Sequence, residues 1–272
     1  MKYKTIKKKI EFEGIGIHSG KNSKVIIEKA EKSSGINFYI NGSKIPSDLN
    51  YVVNTKRATV LGKEKFKIST VEHLLSAIYG LCITDITINV LGEEIPAYDG
   101  SAKFFVELFL DSGLTEIKKI KKFNVKKEFK FEFDNSKYEI LPSDILEIEC
   151  EIYSKESVFL DGQKFCLKFN TENYIKEISF AKTYCLLKDI EKIQSSGYGL
   201  GGNLENVIII DNDKVINSEK LTYKDECVRH KILDFIGDFS LLNKYINAKI
   251  KIVNPNHYCN FEFCKKIRDF LN

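Results

Sequence analysis

The stretch Val228-Arg229-His230-Lys231-Ile232-Leu233-Asp234-Phe235-Ile236-Gly237-Asp238 carries two patterns at once. His230, Asp234 and Asp238 fall at i, i+4 and i+8, on one face of a helix. Leu233, Phe235 and Ile236 lie on other faces and can reach a core. The pattern predicts a long helix over residues 227–242. Working outward, a strongly apolar strand is expected at 206–211, a strand at 248–253 and a helix at 260–271. Further upstream, strand-like runs at 125–133, 146–153 and 164–169 precede a helical stretch at about 172–178. The first half has the same grammar. Strand-like runs at 5–11, 23–29, 35–40 and 59–61 lead into residues 71–81, where Val71, Leu74, Leu75 and Ile78 have helical spacing. A strand at 85–90 follows, then a helix at about 101–112 that Gly113 is placed to cap. Strands then helices, twice over, predict an α+β fold of two similar two-layer domains. Their bounds are read as 1–118 and 124–272. The lysine-dense run 118–130 between them reads as a linker entering a surface strand.

The chain has 272 residues, 43% of them apolar, which is enough for a core. No run approaches the roughly 18 apolar residues of a membrane span. The charged N-terminus lacks the apolar segment of a secretory signal, so a cytoplasmic location is expected. The seven cysteines include no C-x-x-C pair and read as small buried hydrophobes. A net charge of +4 is too mild to argue for nucleic acid but suits an anionic substrate.

Chemistry concentrates around four histidines, His18, His73, His230 and His257. An imidazole and a carboxylate one helical turn apart, such as His230 and Asp234, can share one metal ion, and Asp238 can act one turn further on. The same spacing suits a helix whose His and Asp residues face solvent. Ser69-Thr70-Val71-Glu72-His73-Leu74 also has two readings. Ser69-x-x-Glu72 has the form of a capping box, so Glu72 could serve only the helix. Alternatively His73 is a metal ligand and Glu72 a general base beside it. His257 sits in a turn, Asn254-Pro255-Asn256-His257-Tyr258, and His18 in the glycine-rich Gly14-Ile15-Gly16-Ile17-His18-Ser19-Gly20. Neither that turn nor Gly197-Tyr198-Gly199-Leu200-Gly201-Gly202 fits a P-loop or dinucleotide fingerprint.

Together these motifs resemble the UDP-3-O-acyl-N-acetylglucosamine deacetylases, zinc amidases of lipid A biosynthesis. The resemblance runs through the opening glycine motif, Ser69–Leu74, Glu94-Ile95-Pro96-Ala97-Tyr98-Asp99-Gly100-Ser101-Ala102, Phe180-Ala181-Lys182-Thr183, Gly199-Leu200-Gly201-Gly202 and His230–Asp238, in that order. It implies that His73, His230 and Asp234 bind Zn2+, that Glu72 is the general base and that His257 is the general acid. Asp238 would orient His257 or tune its charge. Thr183 and Lys231 would contact the polarised carbonyl and polar groups of the substrate, and His18 would support the site. The fold it implies sandwiches the helices of two domains between outer sheets. An insert at about 184–207 would form an acyl passage, with Tyr184, Tyr198, Leu186, Leu187, Ile190, Ile193 and Leu200 as candidate lining. An amphipathic helix over 186–194 packed on its own domain is the alternative for that stretch. The chain departs from the family pattern at Lys182, where Arg is usual, and at Asn254-Pro255-Asn256, where Lys-Ser-Gly is usual.

The expected reaction removes the N-acetyl group of a UDP-sugar bearing an acyl chain, giving acetate and a free amine, in a monomer with no nucleic-acid partner. Two rivals remain at this level: a related zinc amidase acting on another N-acyl amino sugar, and a non-catalytic binding module of the same fold.

Overall fold

The computed structural model describes residues 2–271. Its six α-helices are α1 (Glu72–Gly80), α2 (Lys103–Asp111), α3 (Thr171–Glu177), α4 (Ile190–Ser195), α5 (Glu226–Ser240) and α6 (His257–Leu271). The fold is α+β, with two larger sheets of matching connectivity. In the first, the hairpin Ile10–Ile15/Asn22–Lys29 and the hairpin Ile36–Ile40/Ser43–Pro46 flank a central strand, Ile86–Leu91. In the second, the hairpins Phe129–Phe133/Ser136–Leu141 and Leu146–Ile152/Gln163–Lys168 flank Tyr245–Val253. Each central strand is the last of its set in the chain and pairs in parallel with the first strand of the second hairpin. A helix that runs directly into each central strand, α1 or α5, therefore crosses one sheet face.

Alternation sets which face is inward. Leu146–Ile152 (LEIECEI) buries every second residue, and Tyr245–Val253 does nearly the same. Leu74, Leu75 and Ile78 of α1 and Ile232, Phe235, Ile236 and Phe239 of α5 are buried in one continuous core shared by both halves. The helices thus pack on each other between the sheets. At the crossing, a methyl group on Gly237 would lie 2.1 Å from the Glu72 carbonyl oxygen, so only glycine permits that approach.

Several expected bounds shift. The run 125–133 is a strand only over Phe129–Phe133, which begins a hairpin, and a separate short strand before it, Lys122–Asn124, pairs with Tyr245–Val253. The second strand of that hairpin, Ser136–Leu141, lies outside the expected runs; it buries Ser136, Tyr138 and Ile140 in alternation with Lys137 and Glu139. The first run splits into Lys2–Ile6, paired with Leu114–Lys119, and Ile10–Ile15. Residues 186–194 are not one helix either. Tyr184–Leu186 is a strand, Leu187–Asp189 a 3-10 turn, and only then does α4 begin. All seven cysteines are free, and all but Cys166 and Cys185 are buried.

Two inserts matter for the site. A three-stranded sheet, Val52–Asn54, Val60–Lys63 and Phe66–Ile68, precedes α1. The second runs Tyr184–Leu186, α4, Ile208–Asp211, with the two strands parallel.

Candidate metal centre and active site

The crossing of α1 and α5 brings together residues far apart in sequence. One ligand atom each from His73, His230 and Asp234 lies within 4.8 Å of the others, and all three side chains are buried. His73 Nε2 and His230 Nε2 stand 3.5 Å and 3.2 Å from Asp234 Oδ1. His230 Nδ1 lies 2.9 Å from the Ala181 carbonyl oxygen. A carbonyl only accepts, so Nδ1 carries the proton and Nε2 presents a lone pair to the cluster. Burial pushes the His230 pKa down to about 3, despite Asp234, and so keeps it neutral as ligation requires. Burial also disfavours charge on Asp234, but His230 and the Lys231 ammonium outweigh it and hold its pKa well below the carboxylate range. Asp234 Oδ2 accepts from Lys231 Nζ at 3.1 Å, whereas Oδ1 is buried with no hydrogen-bond donor among the described residues. A buried anionic oxygen that faces the His230 lone pair and lies close to the His73 imidazole is costly to desolvate, and a cation among the three would offset that cost. The donor set fits a metal ion.

Glu72 heads α1 but does not cap it. The N-cap is Val71, without a side-chain bond, and Ser69 Oγ lies against Thr70. This decides against the capping-box reading. Instead, buried Glu72 accepts from the Thr59 N–H at 3.0 Å through Oε2 and lies 3.7 Å from His257 Nε2 through Oε1. Burial is the main cause of its pKa rising to about 7, with the neighbouring histidines pulling the other way. His257 is the first residue of α6 rather than part of a preceding turn. Asn256 caps that helix, its Oδ1 accepting from the Cys259 N–H at 3.0 Å. His257 Nδ1 is 2.9 Å from Asp238 Oδ2. Burial acts to lower the His257 pKa, but Asp238 and Glu72 raise it to about 10. Asp238 is itself fixed by Asn260 Nδ2 at 2.8 Å and by the Thr59 hydroxyl.

Thr59 therefore contacts both Glu72 and Asp238, and the sequence reading missed it. Its only signal was a place in a short strand before α1, since nothing local shows that a hydroxyl meets a carboxylate 179 residues away.

Glu72, His73, His230, Asp234 and His257 line a cavity of about 400 Å³, along with His18, Thr183, Lys231 and Asn256. Its lining also has an apolar part: Ile17, Ile190, Ile193, Leu204, Val207 and Ile209. Of the residues anticipated along a passage, Tyr184, Ile190 and Ile193 line this cavity. Leu187 and Leu200 do not, and both are exposed, at 43% and 54%. Lys231 Nζ lies 5.3 Å from the centre of the Tyr184 ring as well as on Asp234. Thr183 is held by backbone bonds, its N–H to Gly100 and its carbonyl to Ile208. His18 packs edge-on against Tyr198, and its Nδ1 is buried without a partner. Lys182 turns away, toward buried Glu226 and the Lys220 carbonyl.

A profile of the family described as UDP-3-O-acyl N-acetylglycosamine deacetylase matches residues 3–269. The chain belongs to that family. Among its relatives, the UDP-3-O-acyl-N-acetylglucosamine deacetylase of Nautilia profundicola is 39% identical over 270 residues, covering 98% of this chain and 92% of the relative. The enzyme of the same name from Aquifex aeolicus is 39% identical over 264 residues, covering 97% and 92%. That of Campylobacter fetus is 42% identical over 246 residues, covering 89% and 83%. The family's description names a deacetylase.

Proposed function

We propose that the protein is a zinc-dependent hydrolase that removes the N-acetyl group of UDP-3-O-(3-hydroxyacyl)-N-acetylglucosamine, releasing acetate and the free amine in lipid A biosynthesis. The observation that carries this reading is the junction of the His73, His230 and Asp234 cluster with an apolar chamber in one cavity. Polar reacting groups and an apolar lining in one cavity suit an amide on an acylated sugar.

His73, His230 and Asp234 would hold the zinc. Two histidines and a carboxylate are a catalytic zinc donor set, and the ion supplies Lewis-acid activation of water and carbonyl. Glu72, buried at the cavity wall with a pKa near neutrality, would take the proton of the attacking water. His257, kept protonated by Asp238, donates to the leaving nitrogen. Thr183 and Lys231 contact the substrate's carbonyl and polar groups, and His18 supports that wall. The apolar residues of the second insert hold the acyl chain, where each buried CH₂ contributes about 0.8 kcal/mol.

Residues 1–118 would form the first domain and 124–272 the second, with the site between them. One chain supplies every group named, so we expect a monomer. We place it in the cytoplasm, with no nucleic-acid partner. The test is acetate release from the UDP-linked, O-acylated substrate, abolished by chelator and restored by zinc. Equal turnover of a UDP-sugar lacking the O-acyl chain would instead favour another N-acyl amino sugar as substrate.

A further inference from the structure

Three buried carboxylates, Asp85, Glu94 and Glu226, lie outside the proposed chemistry, and Glu94 is the one bonded to a residue that lines the cavity and lies two residues before Glu72. Glu94 is only 3% exposed, yet no lysine or arginine pairs with it in the structure's ion pairs among the described residues. Its charge is met by three donors instead. Oε1 accepts from the His18 N–H at 2.9 Å and the Thr70 hydroxyl at 2.9 Å, and Oε2 accepts from the Ser19 N–H at 2.8 Å. The fit requires Gly16, where a methyl group would come within 2.2 Å of Oε2.

Both ends of this network lead to the site. Thr70 lines the cavity and lies two residues before Glu72, in a left-handed conformation (φ 57°) unusual for threonine. The loop bearing His18 and Ser19 is also bonded to the other half of the molecule. The His18 carbonyl accepts from the Leu200 N–H at 3.2 Å, and the Ile17 carbonyl accepts from the Gly201 N–H at 3.0 Å. These bonds fix the glycine loop that closes the second insert. The approach is tight, since a methyl group on Gly201 would lie 2.3 Å from the Gly16 carbonyl oxygen.

We propose that Glu94 is a positioning residue that sets the acyl-holding chamber: by clamping the His18–Ser19 backbone it holds the Leu200–Gly201 loop of the second insert in register with the Thr70 segment of the first half. Charge-assisted bonds from two N–H groups and a hydroxyl give it the strength to do so. The assignment of acyl chain to chamber rests on the function proposed above.

Glu94→Gln tests this with little change in shape. An amide has only one oxygen, so its NH₂ group must face an N–H or hydroxyl that now lacks an acceptor. Wild-type protein is first assayed on the long-chain O-acylated substrate and on its O-acetyl analogue; no acetate release from either would fail the proposed function, not this inference. With wild-type activity in hand, Glu94→Gln should raise KM for the long-chain substrate about tenfold, as loss of a charge-assisted hydrogen bond implies, with kcat and the O-acetyl KM changed less than about threefold. Amide exchange over residues 198–203 should quicken about tenfold while that of α1 and α5 stays unchanged. Gly201→Ala, which pushes the loop away with Glu94 intact, should reproduce both effects and serves if Glu94→Gln does not fold. Equal losses on both substrates, or unchanged exchange at residues 198–203, would overturn the proposal.

Discussion

Gly237 of α5 lies against the backbone of Glu72 of α1, so close that a methyl group at Gly237 would sit 2.1 Å from the Glu72 carbonyl oxygen. This contact fixes the separation of the two helices that carry the metal-ligand cluster. Alanine should improve helix propensity by about 1 kcal/mol, but overpacking against backbone typically costs about 1–3 kcal/mol. Gly237→Ala should therefore lower stability and metal content together, because separating the helices draws His73 from His230 and Asp234. Thermal melts and elemental analysis check this; an unchanged melt with full metal would show that the crossing tolerates the methyl group.

The bare Asp234 Oδ1 between two imidazoles leads us to expect one zinc per chain. Replacing His73, His230 or Asp234 with alanine should remove stoichiometric metal. Titration of the apoprotein should begin below one equivalent, so that binding to the buried group is resolved from weaker surface binding. Stoichiometric metal retained by all three alanine variants would reject the ligand set.

Glu72→Gln should preserve the fold and zinc but reduce turnover by about 10²–10⁴-fold, the range for loss of a general base. A capping role would instead cost about 0.5–2 kcal/mol of stability with chemistry intact. The structure removes that role, so the melt of Glu72→Gln should not fall. Paired turnover and melting measurements separate the outcomes.

The pKa directions give the activity profile its shape. Glu72 must be ionised and His257 protonated, so activity should be bell-shaped between limbs near about 7 and about 10. A bound cation would draw the acid limb lower, and the coupled pair shares the observed values. Asp238→Asn should move the basic limb down, because Asp238 supplies the main pull on His257. Stability of the apoprotein follows the same signs. A histidine raised above its ordinary 6.5 stabilises fully below that value and loses its contribution as pH rises through about 10. Ionising Glu72, with its pKa raised from 4.5 to about 7, destabilises the fold as pH rises through that interval. Both make the apoprotein less stable in alkali. Below about 6.5 the lowered pKa of His230 acts in the opposite direction, so urea unfolding between about pH 7 and 10 tests the sign, and stability that rises there would contradict it.

Ile193 lines the chamber and packs near Gly199, whereas Leu200 is exposed. Ile193→Trp should therefore disfavour the longest acyl chains selectively. Chain-length profiles of kcat/KM measure this, and equal loss for every length would give Ile193 a role in folding alone.

The sequence determined what periodicity and local chemistry can encode. The apolar spacing of Leu74, Leu75 and Ile78, and of Leu233, Phe235 and Ile236, marked the two central helices. Alternation marked most strands, and the i, i+4 spacing put His230 and Asp234 on one helical face. The α+β class follows from these, as does the family through its ordered motifs. Glu72 kept two readings because its local pattern satisfies a capping box as well as a catalytic pair. Only the tertiary structure chose between them, by turning Glu72 toward Thr59 and His257. It alone placed Thr59 on Asp238, Glu94 under the His18 loop, and Leu200 outside the cavity. Those relationships join residues on different elements, set by the crossing at Gly237 and by sheet pairing. Helical and strand periods report which face a side chain takes, but carry no distance between faces that meet only after the chain has packed.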